Sequence, residues 1–262
     1  YGLFLFSLID NVEKYTGLDF SELALTYVRS LVKQKCLLGK VDLLKQRAHE
    51  LDNIENNIYD TIVINSVTQY FPSIGYLISV LKQCIKIIKK PGKIFIGDIR
   101  NLLLHDTFIV STILHNTKNK ALISSLTAEV NTKRLAEQEL LINPNFFTKI
   151  LNDIPEITSV KVLPRNSTID NELLTYRYDA VIFVGEKGEV YNINNIISNF
   201  KNDLTVQDIR TVLIKTNPEH LAILYVPNAK LQRIIPLVAS TLSSSMFDST
   251  IEKITQINNQ IY

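Results

Sequence analysis

Two short apolar runs, "TIVIN" (61–65) and "KIFIG" (93–97), constrain this chain more than anything else in it. Near-continuous apolar strands suit a sheet covered on both faces, because a sheet with one wet face alternates polar and apolar residues. Between them, "IGYLISVLKQCIKIIKK" (74–90) repeats apolar residues at helical spacing, and Pro91-Gly92 stops the pattern. The same rhythm appears upstream. "YTGLDF" (15–20) reads as a strand ending at an acidic residue, 21–35 as an amphipathic helix capped by Ser21, and "VDLLKQRA" (41–48) as another strand. "YDTIVINS" (59–66) and "GKIFIGDI" (92–99) are the third and fourth strands. A mostly helical region from about 103 to 152 follows, and "VKVLPR" (160–165) and "YDAVIFVG" (178–185) close the series. Strand and helix alternating at this spacing predict an α/β layered fold with parallel pairing and helices on both faces of the sheet.

After Gly185 the composition shifts. "EKGEVYNINNIISNFKND" (186–203) is polar and rich in Asn, which marks a boundary. A smaller α+β segment follows, with a helix near 205–216 and a strand, "LAILYV" (221–226). The domains expected are therefore 1–186 and 187–262. The chain opens on "YGLFLFSLIDN", an apolar helical pattern already under way, as if cut in mid-fold. It has neither the basic stretch nor the cleavage site of a secretory signal.

The 262 residues carry a net charge of +2, so the total offers no electrostatic case for nucleic acid. No apolar run approaches the ~20 residues that span a bilayer. The two cysteines, Cys36 and Cys84, lie far apart, and neither joins a histidine cluster at metal-ligand spacing. A reducing, cytoplasmic setting without a metal is the expectation.

In an open parallel sheet, ligands bind outside the carboxyl ends of the strands. Those ends are polar here: Asp19, then Ala48-His49-Glu50, then Asn65-Ser66, then Asp98 with Arg100 two residues on. A carboxylate at a strand end suits the two hydroxyls of a ribose, since it accepts two hydrogen bonds at once. Each residue alone is more often a cap for the next helix, but four polar strand ends together point to a rim site. No Ser-His-Asp or Cys-His arrangement is legible. Gly2 directly precedes the first apolar helix, where the last glycine of a strand, glycine-rich turn and helix motif would fall.

The stretch "YDTIVINSVTQYFPSIGYLISVLKQCIKIIKKPGKIFIGDIRNL" resembles the core of the S-adenosylmethionine-dependent methyltransferase domains embedded in nonribosomal peptide synthetases, mostly N-methyltransferases inserted into adenylation domains. "GLFLFSLI", "YTGLDFSE", "AEQELLINPNFF" (136–147) and "NELLTYRYDAVIFVG" (171–185) are similar to the same family in the same order, and "PEHLAILYVPNAKL" (218–231) resembles the return into the adenylation domain. The resemblance implies a Rossmann-like class I methyltransferase sheet whose first strand and first loop glycines lie upstream of residue 1. It implies S-adenosylmethionine as cofactor, with Gly2 as the last loop glycine and Asp19 on the ribose. Ala48 and His49 would stand at the adenine edge, and Asn65, Ser66 and Val67 along the methionine end. Tyr70 and Phe71 would wall the methyl group from water. His49 departs mildly from the family, which often has an acidic residue nearby.

On the substrate side the candidates are Asp98, Arg100, Glu137, Glu139, Asn171, Glu172 and Tyr178. Glu137 and Glu139 have a competing reading as an exposed helix face or as caps, and Tyr178 as core. The reaction implied is methyl transfer to the α-amine of an aminoacyl thioester, with Glu172 holding the amine and accepting its proton. The partners implied are an aminoacyl-phosphopantetheinyl carrier domain and an adjoining adenylation domain, with neither nucleic acid nor membrane. The alternatives are a C- or O-methyltransferase domain of a mixed polyketide/peptide line, which needs a stronger base such as His105 or His115, and a catalytically silent synthetase fragment. A nicotinamide dehydrogenase has no place for "NSVTQYFPS".

Overall fold

A computed structural model describes residues 2–116, 123–165, 172–185, 195–197, 204–224, 226–232 and 238. The chain divides into two compact units, Tyr1–Tyr59 with Gly75–Lys89, and Asp60–Ile74 with Lys90–Tyr262.

The first unit holds α1 (Leu3–Leu8), β1 (Tyr15–Asp19), α2 (Glu22–Gln34) and β2 (Val41–Lys45). β1 and β2 pair in parallel, from Tyr15 opposite Val41 to Asp19 opposite Lys45. The connection that makes this possible is α2, whose first turn is fixed where Ser21 Oγ accepts from the Ala24 N–H at 3.3 Å. Val28 and Val32 of α2, one helical turn apart, pack with Leu5, Ile9 and Val41 into one apolar cluster.

Most of α3 (Ile74–Ile87) also belongs to this unit, and it buries Leu77, Val80, Leu81, Cys84 and Ile85 at helical spacing. The helix ends three residues before the expected Lys90, and Ile88 to Lys90 already form the start of a strand. Pro91 is the physical reason: its ring crowds the preceding residue out of the helical region, so the chain turns extended ahead of it.

The second unit is built on a four-stranded sheet. β3 (Tyr59–Asn65), β4 (Ile88–Arg100), β5 (Ile157–Pro164) and β6 (Arg177–Val184) lie in the order β3-β4-β6-β5. The α/β class is as expected, but pairing is not parallel throughout, because β6 runs antiparallel to both β4 and β5. In the described part of the link from β5 to β6 there is a one-turn helix, α7 (Glu172–Thr175), and antiparallel neighbours need no long crossover. β6 alternates strictly, with Tyr178, Ala180, Ile182 and Val184 buried on one face. β4 carries an extra residue: Ile96 pairs with Ala180 and Ile99 with Tyr178, so three steps on β4 match two on β6.

Helices α4 (His105–Asn116), α5 (Ile123–Leu135) and α6 (Asn145–Asp153) complete the layer. Ile109, Val110 and Ile113 of α4 cluster with Val130 of α5 and with Val238, while Phe147 and Ile150 of α6 are fully buried. The helical region expected from 103 to 152 is interrupted: residues 136–144 form an irregular segment in which Ile142 makes a parallel bridge to Asn101.

A small parallel pair lies further along, β7 (Asn195–Ile197) with β8 (Leu221–Ile223), joined through α8 (Val206–Thr216). β7 falls inside the stretch expected to be a polar boundary, and β8 stops at Ile223, short of the expected 226. Thr205 and Asp208 close a reciprocal cap on α8.

Candidate functional site

The second unit brings the ends of β3 and β4 side by side. The Ser66 N–H donates to the Gly97 carbonyl at 3.1 Å. Ser66 and Asp98 both hold left-handed backbone conformations, φ 56° and 65°, which side-chain-bearing residues seldom adopt. Gly97 has no room for a side chain, since a Cβ would stand 2.1 Å from Asn65 Oδ1.

Asp98 sits at the centre, 6% exposed. Its Oδ2 accepts from Ser66 Oγ at 3.0 Å and from Arg177 Nη1 at 2.8 Å, and its Oδ1 pairs with Arg165. Its own N–H donates to Asp179 Oδ1 at 2.8 Å. A carboxylate this buried is tolerable because two guanidiniums and a hydroxyl satisfy it. Asn65 Nδ2 donates to Ser66 Oγ at 2.9 Å, and Gln69 Nε2 to the Ser66 carbonyl at 3.1 Å, so the turn after β3 is hydrogen-bonded from both sides.

Two residues along β4, Arg100 forks. Nη2 donates to Glu137 Oε2 at 2.7 Å and Nη1 to Glu139 Oε2 at 2.8 Å. Burial alone would lower the affinity of Arg100 for its proton, but the two carboxylates outweigh it and raise its pKa. Burial likewise opposes the charge on Glu137, yet the Arg100 hydrogen bond and the Glu139 N–H hold its pKa below the usual value. The two glutamates therefore stand on the irregular segment, not on a helix face. That segment is tied down by Leu140 N–H to the Gln69 carbonyl at 2.8 Å and Ile142 N–H to the Arg100 carbonyl at 2.9 Å.

Beside this rim is a cavity of about 290 Å³ whose walls include Arg100, His105, Phe108, Glu139, Tyr176 and Arg177. His105 is 6% exposed, and neither ring nitrogen has a hydrogen-bond partner among the described residues. Glu137 Oε2 stands 3.8 Å from its Nε2. Burial pushes the imidazole pKa down, against the pull of the Glu137 charge.

Of the substrate-side candidates, Asp98, Arg100, Glu137 and Glu139 thus lie in one connected neighbourhood. Tyr178 lies deeper. It is 4% exposed, donates its hydroxyl to the Ile142 carbonyl at 3.0 Å and sets its ring edge-on to Phe147. Asn171 and the side chain of Glu172 lie outside the described residues. Val67 and Tyr70, in the turn after β3, are exposed.

The other cofactor candidates belong to the first unit. Asp19 ends β1, and its Oδ1 accepts from the Ser21 N–H at 2.8 Å, the capping bond open to any aspartate there. His49 and Ala48 form a turn after β2, and His49 Nδ1 shares a 2.7 Å hydrogen bond with the Tyr76 hydroxyl. Gly2 precedes α1 with φ 76°, a conformation that suits glycine.

Sequence reasoning missed Arg165, Arg177 and Asp179, which surround Asp98. The signal was present in "YRYD": in a strand, residues flanking a buried tyrosine face the opposite side together. Among the described residues, no helix is long and apolar enough to cross a membrane, and no three His, Cys, Asp or Glu side chains gather as metal ligands.

Comparison with known proteins places the chain. A family model described as a methyltransferase domain matches residues 2–193. Chondramide synthase cmdD of Chondromyces crocatus is 36% identical over 184 residues, 70% of this chain and 5% of that one. Nonribosomal peptide synthetase TES of Alternaria alternata is 37% identical over 185 residues, 70% of this chain and 4% of that one. This chain thus spans a twentieth or less of these relatives' length. Among solved structures, the N-methyltransferase NodS of Bradyrhizobium japonicum aligns with 71% of this chain and 81% of its own, at 14% identity and a TM-score of 0.43. Matched by that family model over most of its length, and similar to nonribosomal peptide synthetases over 70% of it, the chain belongs to the methyltransferase-domain family.

Proposed function

We propose that this domain transfers a methyl group from S-adenosylmethionine to the α-amine of an aminoacyl thioester on a carrier domain during nonribosomal peptide synthesis. The observation that carries the reading is the rim at the ends of β3 and β4. A hydrogen-bonded polar turn and a buried carboxylate, Asp98, stand there, and Arg177, which pairs with Asp98, lines a cavity of about 290 Å³ together with Arg100 and Glu139. The similarity to peptide synthetases supplies the class of acceptor. Residues 187–262 are proposed to lead back into an adjoining adenylation domain.

The side chains present fit the cofactor. Asp19 commits one carboxylate oxygen to Ser21 and keeps the other for a ribose hydroxyl. His49 commits Nδ1 to Tyr76 and keeps Nε2 for a base edge. With Gly2 and Ala48 they are the proposed cofactor residues of the first unit, and Asn65, Ser66, Val67 and Tyr70 those of the second. When bound, S-adenosylmethionine supplies an electrophilic methyl group on a sulfonium sulfur. The chain's task is then alignment and water exclusion.

An amine must be neutral to attack, and an α-amine loses its proton near pH 8 or below, roughly 7.7–8.0. A carboxylate, proposed to be Glu172, is therefore base enough. A carbon acceptor would need more. His105 is the histidine best placed for that second reading, but burial weakens it as a base, which favours the amine.

The test is transfer of a labelled methyl group to aminoacyl-loaded carrier protein. It is run with this chain and with a form extended upstream by a strand and a glycine-rich loop, and the product is mapped by fragment-ion mass spectrometry. Label on the α-nitrogen, with a rate that falls in Glu172→Gln, supports the proposal. Label on carbon or oxygen overturns it, and so does no transfer from either form.

A further inference from the structure

Arg100 and Arg177 stand directly opposite each other on β4 and β6. Like charges so placed repel, and each guanidinium needs an anion of its own. Arg100 is fully committed to that need. Its two terminal nitrogens donate to Glu137 and Glu139, its guanidinium lies 5.8 Å from the centre of the Phe108 ring, and its side chain is only 11% exposed. Glu137 is committed as well, since Oε2 accepts from Arg100 and Oε1 from the Glu139 N–H.

The other two charged groups on the cavity wall keep capacity in hand. The Glu139 side chain is 35% exposed; Oε2 accepts from Arg100, and Oε1 receives no hydrogen bond from the described residues. The Arg177 side chain is 19% exposed; Nη1 donates to Asp98, and the rest of the fork has no partner among the described residues. A carboxylate offers about four acceptor sites and a guanidinium about five N–H donors. One cavity thus presents a spare acceptor and spare donors, each held in place by an ion pair behind it. The group that complements them carries an amine and a carbonyl on the same carbon, which is the backbone of an aminoacyl group.

We propose that this cavity grips the aminoacyl acceptor by its backbone, with Glu139 accepting a hydrogen bond from the α-amine and Arg177 donating one to the thioester carbonyl. The inference rests on the methyl-transfer reading for the identity of the ligand. With one N–H of a neutral amine on Glu139 and the other left to the proposed base, the nitrogen lone pair has a fixed direction, which an in-line displacement needs. Glu139 and Arg177 are binding residues in this scheme, and neither makes or breaks a covalent bond.

The probes are N-acetylcysteamine derivatives: the alanine thioester, the propionyl thioester, which lacks the amine, and the 2-aminopropyl thioether, which lacks the carbonyl. Affinities are taken by calorimetry for this chain and for the form extended upstream, and methyl transfer to the alanine thioester is followed alongside. The alanine thioester should bind about tenfold or more tightly than either truncated probe, since a site built to hydrogen-bond rejects the analogue without the group. In Glu139→Gln the amide oxygen turns to Arg100 and an N–H faces the cavity where an acceptor is needed. That variant should weaken the alanine thioester and the thioether about tenfold and leave the propionyl thioester within about twofold. Arg177→Lys, which keeps a cation beside Asp98, should weaken both thioesters about tenfold and leave the thioether within about twofold. Residues that merely shape the fold would weaken every probe alike. Should Arg177→Lys not fold, the side-chain nitrogen signals of Arg177 in the unsubstituted chain decide its part: they should shift with the thioesters and stay still with the thioether.

Equal binding of the alanine and propionyl thioesters overturns the inference. So does equal binding of thioester and thioether, binding of none of the probes, or a uniform loss in either variant. If the probes behave as expected but no methyl group is transferred, the grip stands and the proposed reaction falls. If transfer proceeds and Glu139→Gln affects every probe alike, the reaction stands and the grip falls.

Discussion

Ser66 donates its hydroxyl to Asp98 Oδ2 at 3.0 Å, and both residues hold left-handed backbone conformations at the ends of neighbouring strands. Two such residues joined by one hydrogen bond are a place where local strain is held by surrounding structure. What holds it here is charge: Arg165 and Arg177 close on the same carboxylate.

Removing that charge should therefore be expensive. Asp98→Asn leaves Arg177, itself largely buried, without its anion, and the expected loss is about 3 kcal/mol, at the low end for a broken buried pair because Arg165 keeps some access to water. Urea unfolding followed by circular dichroism measures it. A midpoint that falls with an unchanged slope is the expected outcome.

Gly97→Ala tests the close approach of the two strands. The new methyl would stand 2.1 Å from Asn65 Oδ1 and 2.6 Å from the Phe95 ring, so one of them must move. The cost should be about 1–3 kcal/mol, as for other overpacked sites. Methyl transfer should drop as well, because Asn65 hydrogen-bonds Ser66. Ala substituted at Gly39, which has open space around it, is the control.

Acid should weaken the second unit in two stages. His105 has its pKa lowered from the ordinary 6.5, chiefly by burial. Its unfolded form therefore binds a proton first as the pH falls through about 6.5, and stability present above that point is lost on the way to the folded value. Glu137 is also lowered, from 4.5: burial opposes this, but the Arg100 hydrogen bond and its neighbours outweigh it. The sign is the same, and its window lies lower, below about 4.5. Melting temperatures taken from pH 8 to pH 3.5 should decline in both ranges. In His105→Leu the upper stage should flatten and the lower one remain.

The cysteines should differ sharply in reactivity. Burial pushes the Cys84 thiol up to about 12, whereas Cys36 is exposed. Only a thiolate is alkylated at a useful rate. Iodoacetamide at pH 8 should add one group per native chain, at Cys36, and a second only after denaturation, as peptide mass mapping would show.

The sheet was legible wherever apolar residues ran together. "TIVIN" and "KIFIG" became parts of β3 and β4, but cover on both faces holds for neither in full: Ile94 and Ile96 are buried in β4, whereas in β3 Ile64 is buried and Thr61 and Val63 are exposed. The Ser21 cap was equally plain, since its hydrogen bond spans three residues. The direction of β6 was not, because alternation is identical in parallel and antiparallel strands. The rim divides the same way. Asp98 and Arg100 stood out as polar residues ending an apolar run, but their charged partners come from 37 to 81 residues further along the chain, and only the two beside Tyr178 carry a local mark. Glu137 and Glu139 could equally be read as an exposed helix face or as caps, and only the fold shows the guanidinium between them.

The extra residue in β4 acts on the strand as a frameshift acts on a message. Ile94 and Ile96 face the same side as Ala180 and Ile182, and the inserted step lets Ile99 rejoin that side opposite Tyr178. Without it, the even count would continue inward, and Asp98 and Arg100 would be read into the apolar layer. One residue of slack thus separates the grammar of the core from the grammar of the rim. Deleting a single residue at Gly97 would garble both.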